Sequence, residues 1–303
     1  MESLETLEAH RRGVSHLVPI LDAVRSIAEL AWRRAENGFH PLDAYAHRLQ
    51  ASFERVVSTL TREERSALAP RDHLPVGVLF VSSERGLCGP FNERVVEYGL
   101  AQVRSLTEEG ASVRYLCFGN RSRRLLEAAG VTLLYARPLA SLSVPAYVDI
   151  QEAALDLLGL TDQRAFGRLV VIHNAPAHRF QYAPTIRQLL PPVLPVVSGP
   201  QATATVIPAG DTPILLTHLM TELVLVGLFR SVMESVISEQ LARIYTMRLA
   251  ADNARRLVND LTAECNLARR NAITNSLLEI VAGYEATVHS GRPAPRPPLS
   301  TKE

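Results

Sequence analysis

The sequence predicts an α/β protein built on a long antiparallel two-helix coiled coil. The N- and C-terminal segments form the coil, and a globular α/β domain is inserted between them. Three observations carry this prediction. A seven-residue apolar repeat runs through the last third of the chain, and a shorter one runs through the first part. Between them, short β-branched runs alternate with helical stretches.

Residues 2–60 read as the N-terminal coiled-coil helix. Leu4, Leu7, Val14, Val18, Leu21, Ala28, Trp32 and Ala35 occupy its seam, and Arg11 and Arg25 fill the two polar seam positions. Proline lacks a backbone N–H and clashes with the preceding turn, so Pro19 is expected to kink this helix. Gly38 with Pro41 is expected to bend or break it.

Residues 76–208 read as a Rossmann-like α/β domain with a largely parallel sheet. VGVLFVS (76–82), VRYLCF (113–118), VTLLY (131–135) and RLVVIHNA (168–175) are strand runs, and helical stretches lie near 92–109, 120–129 and 146–159. The segment 176–208 is expected to add one or two strands at the sheet edge.

Residues 211–288 read as the C-terminal coiled-coil helix, opened by Asp211-Thr212-Pro213. Its seam includes Leu219, Leu223, Val226, Met233, Ile237, Ile244, Met247, Val258 and Leu261, with polar residues only at Arg230 and Gln240. A repeat held this long imposes a left-handed supercoil. At about 1.5 Å per residue the helix would extend roughly 115 Å. Ala251, Ala254, Ala268 and Ala272 make the second half of the seam narrow, and the register fails at Asn275 and Glu279. The obvious partner is the N-terminal helix, folded back antiparallel. Aspartates at Met233 and Ile237 are therefore expected to part the helices while the α/β domain keeps its own core. Residues 289–303, with four prolines, are expected to be a disordered tail.

Composition excludes several functions. Lys+Arg 32 against Asp+Glu 31 leaves a net charge of +1, which is no footprint for nucleic acid. The single lysine is Lys302, so neither a phosphate-loop lysine nor a Schiff-base lysine has a place inside the fold. Cys88, Cys117 and Cys265 form no C-x-x-C pair, which argues against a zinc cage or disulfide framework and for a reducing compartment. The N-terminus, with Glu2, Glu5 and Glu8, reads as neither signal nor transit peptide. The most apolar window, 214–229, holds His218 and Glu222 and is short for a bilayer, so no direct membrane insertion is expected.

The candidate chemistry is sparse. Cys88, in the turn Arg85-Gly86-Leu87-Cys88-Gly89, has no triad partner nearby, and the glycines explain the motif as backbone geometry. Gly86 and Gly89 followed by Pro90 do not make a dinucleotide-binding fingerprint. The histidines show no metal spacing, and His173 and His218 read as structural. No cofactor and no metal are expected. Two rivals remain at this level: a nucleotide-dependent α/β transferase with a dimerising coiled coil, which would bind nucleotide, and a coiled-coil scaffold, which would self-associate through the Leu219 seam.

Three segments resemble one family. SSERGLCGPFNE (82–93), which includes Asn92, resembles the S-D-R-G-L-C-G-x-x-N turn of the gamma subunits of F-type ATP synthases. APTIRQLLP (183–191) is similar to their V-P-T-I-x-Q-L-L-P segment, and residues 238–286 are similar nearly end to end to their last helix. The resemblance covers all but the tail. Departures are PILDAVRSIA (19–28) in place of a lysine-bearing stretch, Arg270 where glutamine is usual, Ser276 for a glutamate, and Tyr284 for a small residue. The G-x-F-N-E and G-[FY]-E-A forms resemble a branch associated with sodium-pumping synthases.

The resemblance implies a non-catalytic central-stalk rotor. Its rod would turn inside a hexamer of three alpha and three beta subunits, with the α/β domain on the membrane c-ring beside the epsilon subunit. It would couple ion flow to ATP synthesis or hydrolysis on the cytoplasmic face of the cell membrane, peripherally. The family's polar contacts to beta map onto Arg269, Arg270, Thr274 and Glu279.

Overall fold

The structure, a computed structural model, describes residues 3–68, 73–139, 144–177, 181–193 and 212–290. The elements follow the order α1 (Leu4–Thr59), α2 (Arg62–Ala67), β1 (Val76–Val81), α3 (Phe91–Glu108), β2 (Val113–Phe118), α4 (Asn120–Ala128), β3 (Leu133–Arg137), α5 (Tyr147–Asp162), β4 (Arg168–Ala177), β5 (Gln181–Leu190) and α6 (Thr212–Ser290). The chain divides into two compact units, one formed by Met1–Asp22 with Leu249–Glu303 and the other by Ala23–Arg248.

In the larger unit the strands lie in the order β3-β2-β1-β4-β5. β1 runs parallel to β2 and β4, β2 parallel to β3, and β5 antiparallel to β4 at the edge. β1 is buried along its whole length because both sheet faces are covered. Its alternation sends Val76, Val78 and Phe80 into a core with Val95, Val96 and Val103 of α3 and Leu126 of α4. Leu79 and Val81 face the opposite core, made with Ile150, Ala153 and Leu157 of α5 and Val224, Leu228, Val232, Met233 and Ile237 of α6. That second core also takes Ala35 of α1, with Trp32, Phe39 and Leu42 packed against it.

This shared core corrects one expectation. Met233 and Ile237 do not hold two helices together apart from a domain with its own core; they are part of the domain's core. The α/β sheet uses α6 as one of its covering helices, so charges there would disrupt both.

α1 is continuous from Leu4 to Thr59, so Gly38 and Pro41 do not break it. Side chains flanking Pro41 are packed: Phe39 and Leu42 lie against the shared core, and Gly38 faces the Met233 Cε, where an added Cβ would stand 3.6 Å away. Burial of this face outweighs a proline penalty of about 3 kcal/mol. Farther on, Phe53 and Val57 of α1, with Leu60 just after it, pack with Leu216, Leu219, Met220 and Leu223 of α6, an antiparallel pairing. α2 follows a Thr61–Glu64 capping box. The 176–208 segment supplies one strand, β5; residues 194–211 lie outside the described residues.

By length and composition α6 contains a stretch apolar enough to cross a membrane, with mean hydropathy 1.6. The shortness of the apolar window thus excludes less than the sequence suggested. Within this unit Leu216, Leu219, Met220 and Leu223 of that helix have protein partners.

In the smaller unit Leu7 and Val14 of α1 pack with Leu261 and Cys265 of α6, and Leu4, Ala254, Val258 and Ala268 close over them. The pairing is again antiparallel, with Glu8 bonded to Arg269 and Asp22 to Arg255. The expected last seam residue, Ala272, is exposed. Among the described residues the seam extends as far as Leu4 on α1 and Ala268 on α6. The expected tail falls largely on residues 291–303, which lie outside the described residues.

Candidate functional site

The turn after β1 is a docking device. Ser83 N–H donates to Asn92 Oδ1 at 3.0 Å, and Asn92 Nδ2 donates to Cys88 Sγ at 3.4 Å, so the first turn of α3 holds the loop closed. Leu87 and Gly89 both adopt positive φ, 66° and 59°, and glycine takes that conformation without strain. Cys88 and Phe91 then bury against Ala242 of α6 and Tyr182 of β5. Burial pushes the Cys88 thiol up, against the opposing hydrogen bond from Ser83, so Cys88 is a packed side chain and a poor nucleophile. From α6, Arg243 Nη2 donates to the Gly86 carbonyl at 3.3 Å and to Glu239 Oε1 at 2.5 Å. Arg85 and Leu87 remain exposed.

The first backbone N–H groups of the neighbouring α4 are already bonded within the fold. The N–H groups of Asn120, Arg121 and Ser122 donate to Glu84 Oε2, the Ser83 carbonyl and Ser82 Oγ. A cavity of about 370 Å³ beside them is lined by Glu84, Arg85, Gly86, Asn120, Arg121 and Arg124. Glu84 also accepts from Asn120 Nδ2 and from Leu139 N–H, so its carboxylate is saturated by the fold itself.

One turn away, α6 is gripped on every side. All ten residues from Ser231 to Gln240 are buried, among them Ser231, Glu234, Ser235, Ser238, Glu239 and Gln240. Glu234 is the centre of an ion network. His173 Nε2 of β4 lies 2.6 Å from one carboxylate oxygen, and Arg187 Nη2 of β5 lies 2.9 Å from both. Arg230 Nε lies 3.3 Å from Glu234 and its Nη2 lies 2.7 Å from Asp43 of α1. Burial alone would raise the Glu234 pKa; the His173 hydrogen bond and the Arg187 charge outweigh it and hold the carboxyl at about 2. Burial lowers the His173 pKa, so its imidazole is neutral and donates from Nε2. Nδ1, buried and without a hydrogen-bond partner, could not serve as a second donor in a charged ring.

The far part of α6 is different in kind. From Arg269 to Ala286 every residue is exposed. Arg269, Arg270, Thr274 and Glu279 lie there, and at 3.6 residues per turn they are spread around the helix and form no pocket. Arg269 donates to Glu8 Oε1 at 2.7 Å. Ile273, Leu277, Leu278, Ile280, Val281 and Tyr284 are exposed alongside them.

α1 pairs antiparallel with α6 inside each unit, which leaves the family open, and the sequence comparison decides it. The family model described as ATP synthase matches residues 3–287. The chain belongs to the ATP synthase gamma family. It is 32% identical over 297 residues to the ATP synthase gamma chain of Rhizorhabdus wittichii, covering 94% of this chain and 100% of that one. It is 28% identical over 290 residues to that of Roseobacter denitrificans, with 94% and 100% covered. In fold it is similar to a chain of the Euglena gracilis mitochondrial ATP synthase OSCP/F1/c-ring structure, with a TM-score of 0.64, 16% identity and 99% of each chain covered. A chain of the Tetrahymena thermophila central stalk/c-ring structure gives a TM-score of 0.55 at 16% identity, covering 76% of this chain and 99% of that one. As a gamma-family member the chain is a non-catalytic rotor subunit that associates with the membrane peripherally, through its complex. The transferase reading is thereby replaced.

Sequence reasoning did not find the Glu234 network. His173 was a structural histidine without a named partner, and Arg187 and Glu234 drew no attention. One signal was present: Arg230 and Gln240 are the two polar residues on the seam, and both prove to be paired, with Asp43 and Glu234 and with Arg243.

Proposed function

We propose that this chain is the shaft that couples ion flow through a membrane c-ring to ATP synthesis or hydrolysis in a hexamer of three alpha and three beta subunits. In this reading the epsilon subunit joins it in the central stalk, at the cytoplasmic face of the cell membrane. Arg269, Arg270, Thr274 and Glu279 make its polar contacts to beta. The observation that carries the reading is the exposed apolar run of α6. Among the described residues Ile273, Leu277, Leu278, Ile280 and Val281 are exposed on that helix, and apolar surface of this kind marks an interaction site. A sleeve that encloses the helix on all sides fits residues arranged around its whole circumference. As it turns, such a shaft presents a different face to each beta subunit and biases each toward a different state.

The test is assembly and transport. The full chain expressed with its alpha and beta partners is expected to co-purify at one copy per hexamer, and vesicles carrying the whole complex are expected to take up ions on ATP addition. A hexamer that couples ATP turnover to ion uptake without this chain would overturn the proposal.

A further inference from the structure

The Glu234 network joins four elements where ordinary apolar packing would already suffice to hold them. Ala35, Leu79, Phe118, Val232, Met233 and Ile237 share one core there, and apolar contact resists separation. It is non-directional, however, and does little to oppose a helix turning about its own axis. Charge-assisted hydrogen bonds are directional, and Arg187 spreads its donors over two side chains of α6, Nη1 to Ser231 Oγ and Nη2 to both Glu234 oxygens. Glu234 is held in that way from Arg187 on β5 and, along a different direction, from His173 on β4. Arg230, one turn earlier on the same helix, adds an ion pair to Asp43 on α1, a contact of charge rather than of hydrogen-bond direction. Both strand partners sit on the antiparallel edge pair β4–β5, so the network ties the rotational setting of α6 to the sheet.

We propose that Glu234 is a positioning residue for rotary coupling: with His173, Arg187 and Arg230 it locks the angle of α6 against the β4–β5 edge, so that torque passes between sheet and helix without slip. The inference rests on the rotor reading above. A buried charge network stabilises less than an apolar one of equal volume, so its use here is accounted for by the setting it specifies.

The experiment uses the complete complex in vesicles, with ATPase activity and ATP-driven uptake of protons and of sodium measured on one preparation. Glu234→Gln keeps the shape and removes the charge. It is expected to assemble with normal stoichiometry and to keep its ATPase, while uptake per ATP against an established gradient falls by about threefold or more. Glu234→Asp, which keeps the charge, is expected to restore most of the uptake. A purely structural role would lower thermal stability and yield and leave ions per ATP unchanged; that result in an assembled Glu234→Gln complex overturns the proposal. If Glu234→Gln does not assemble, Arg187→Gln at the half-buried partner is read by the same two outcomes, and failure of both to assemble also overturns it. If the unsubstituted complex shows no coupled uptake, the rotor reading itself fails instead.

Discussion

Asp22 Oδ2 accepts a hydrogen bond from Arg255 Nη2 at 2.6 Å, joining residues 233 positions apart in sequence. With the Glu8–Arg269 pair it sets the antiparallel register of α1 on α6 in the smaller unit. Both pairs are partly solvated, and exposed ion pairs contribute only about 0–1 kcal/mol. Asp22→Asn is therefore expected to lower the thermal midpoint of the full chain only slightly, with the difference vanishing at high salt. A large, salt-independent loss in a melting experiment would contradict this.

Met233 behaves differently because it is 1% exposed inside the core shared by sheet and helices. Met233→Asp is expected to destabilise the Ala23–Arg248 unit by several kcal/mol, comparable with a domain's whole margin. Ile273→Asp, at a residue 56% exposed, is expected to leave the free chain's stability within about 0.5 kcal/mol. Denaturant titration followed by circular dichroism compares the two. Equal midpoints would refute the shared core.

The three cysteines are buried and free. Burial pushes the Cys117 thiol up to about 11 and raises that of Cys88, so neither is thiolate at neutral pH. No thiol is expected to react quickly with an aromatic disulfide reagent at pH 8 in the native chain, and all three are expected to react once it is unfolded. The Cys117 contribution to stability is complete below its unfolded pKa near 9 and is lost as pH rises toward 11. A fast native thiol, or alkaline stability that is flat between pH 9 and 11, would show the burial to be wrong.

Glu234 gives an acid limit of opposite sign. Its folded pKa of about 2 lies below the ordinary 4.5, so its stabilisation is present above pH 4.5 and is lost as pH falls toward 2. Glu234→Gln is expected to flatten the stability profile across that window. Equal acid unfolding of the two proteins, followed by fluorescence of Trp32, would count against the network.

ATP is expected neither to bind nor to be hydrolysed by the isolated chain, since the backbone N–H groups at the start of α4 are already bonded to Glu84, Ser83 and Ser82 and the only lysine is Lys302. Calorimetry with magnesium ATP tests this, and micromolar binding would revive the transferase reading.

The sequence by itself determined the elements. The seven-residue repeat, the β-branched runs and the turn SSERGLCGPFNE are local patterns, and local patterns specify period, face and backbone geometry. They were enough to place α6, β1, β2 and β4 and to show the family likeness. The Thr61-x-x-Glu64 box that starts α2 was also there to be read. Only the tertiary structure decided the rest. Pro41 stays within α1 because Phe39 and Leu42, partly buried on either side of it, pack against the shared core, and β5 turns antiparallel onto β4. Met233 belongs to the sheet's core, and Glu234 meets His173 and Arg187 from strands 61 and 47 residues away. A single carboxylate meeting a neutral imidazole and a guanidinium from two distant strands leaves no periodic trace along the chain. Its cost and its gain are both set by burial, which exists only after the elements have packed.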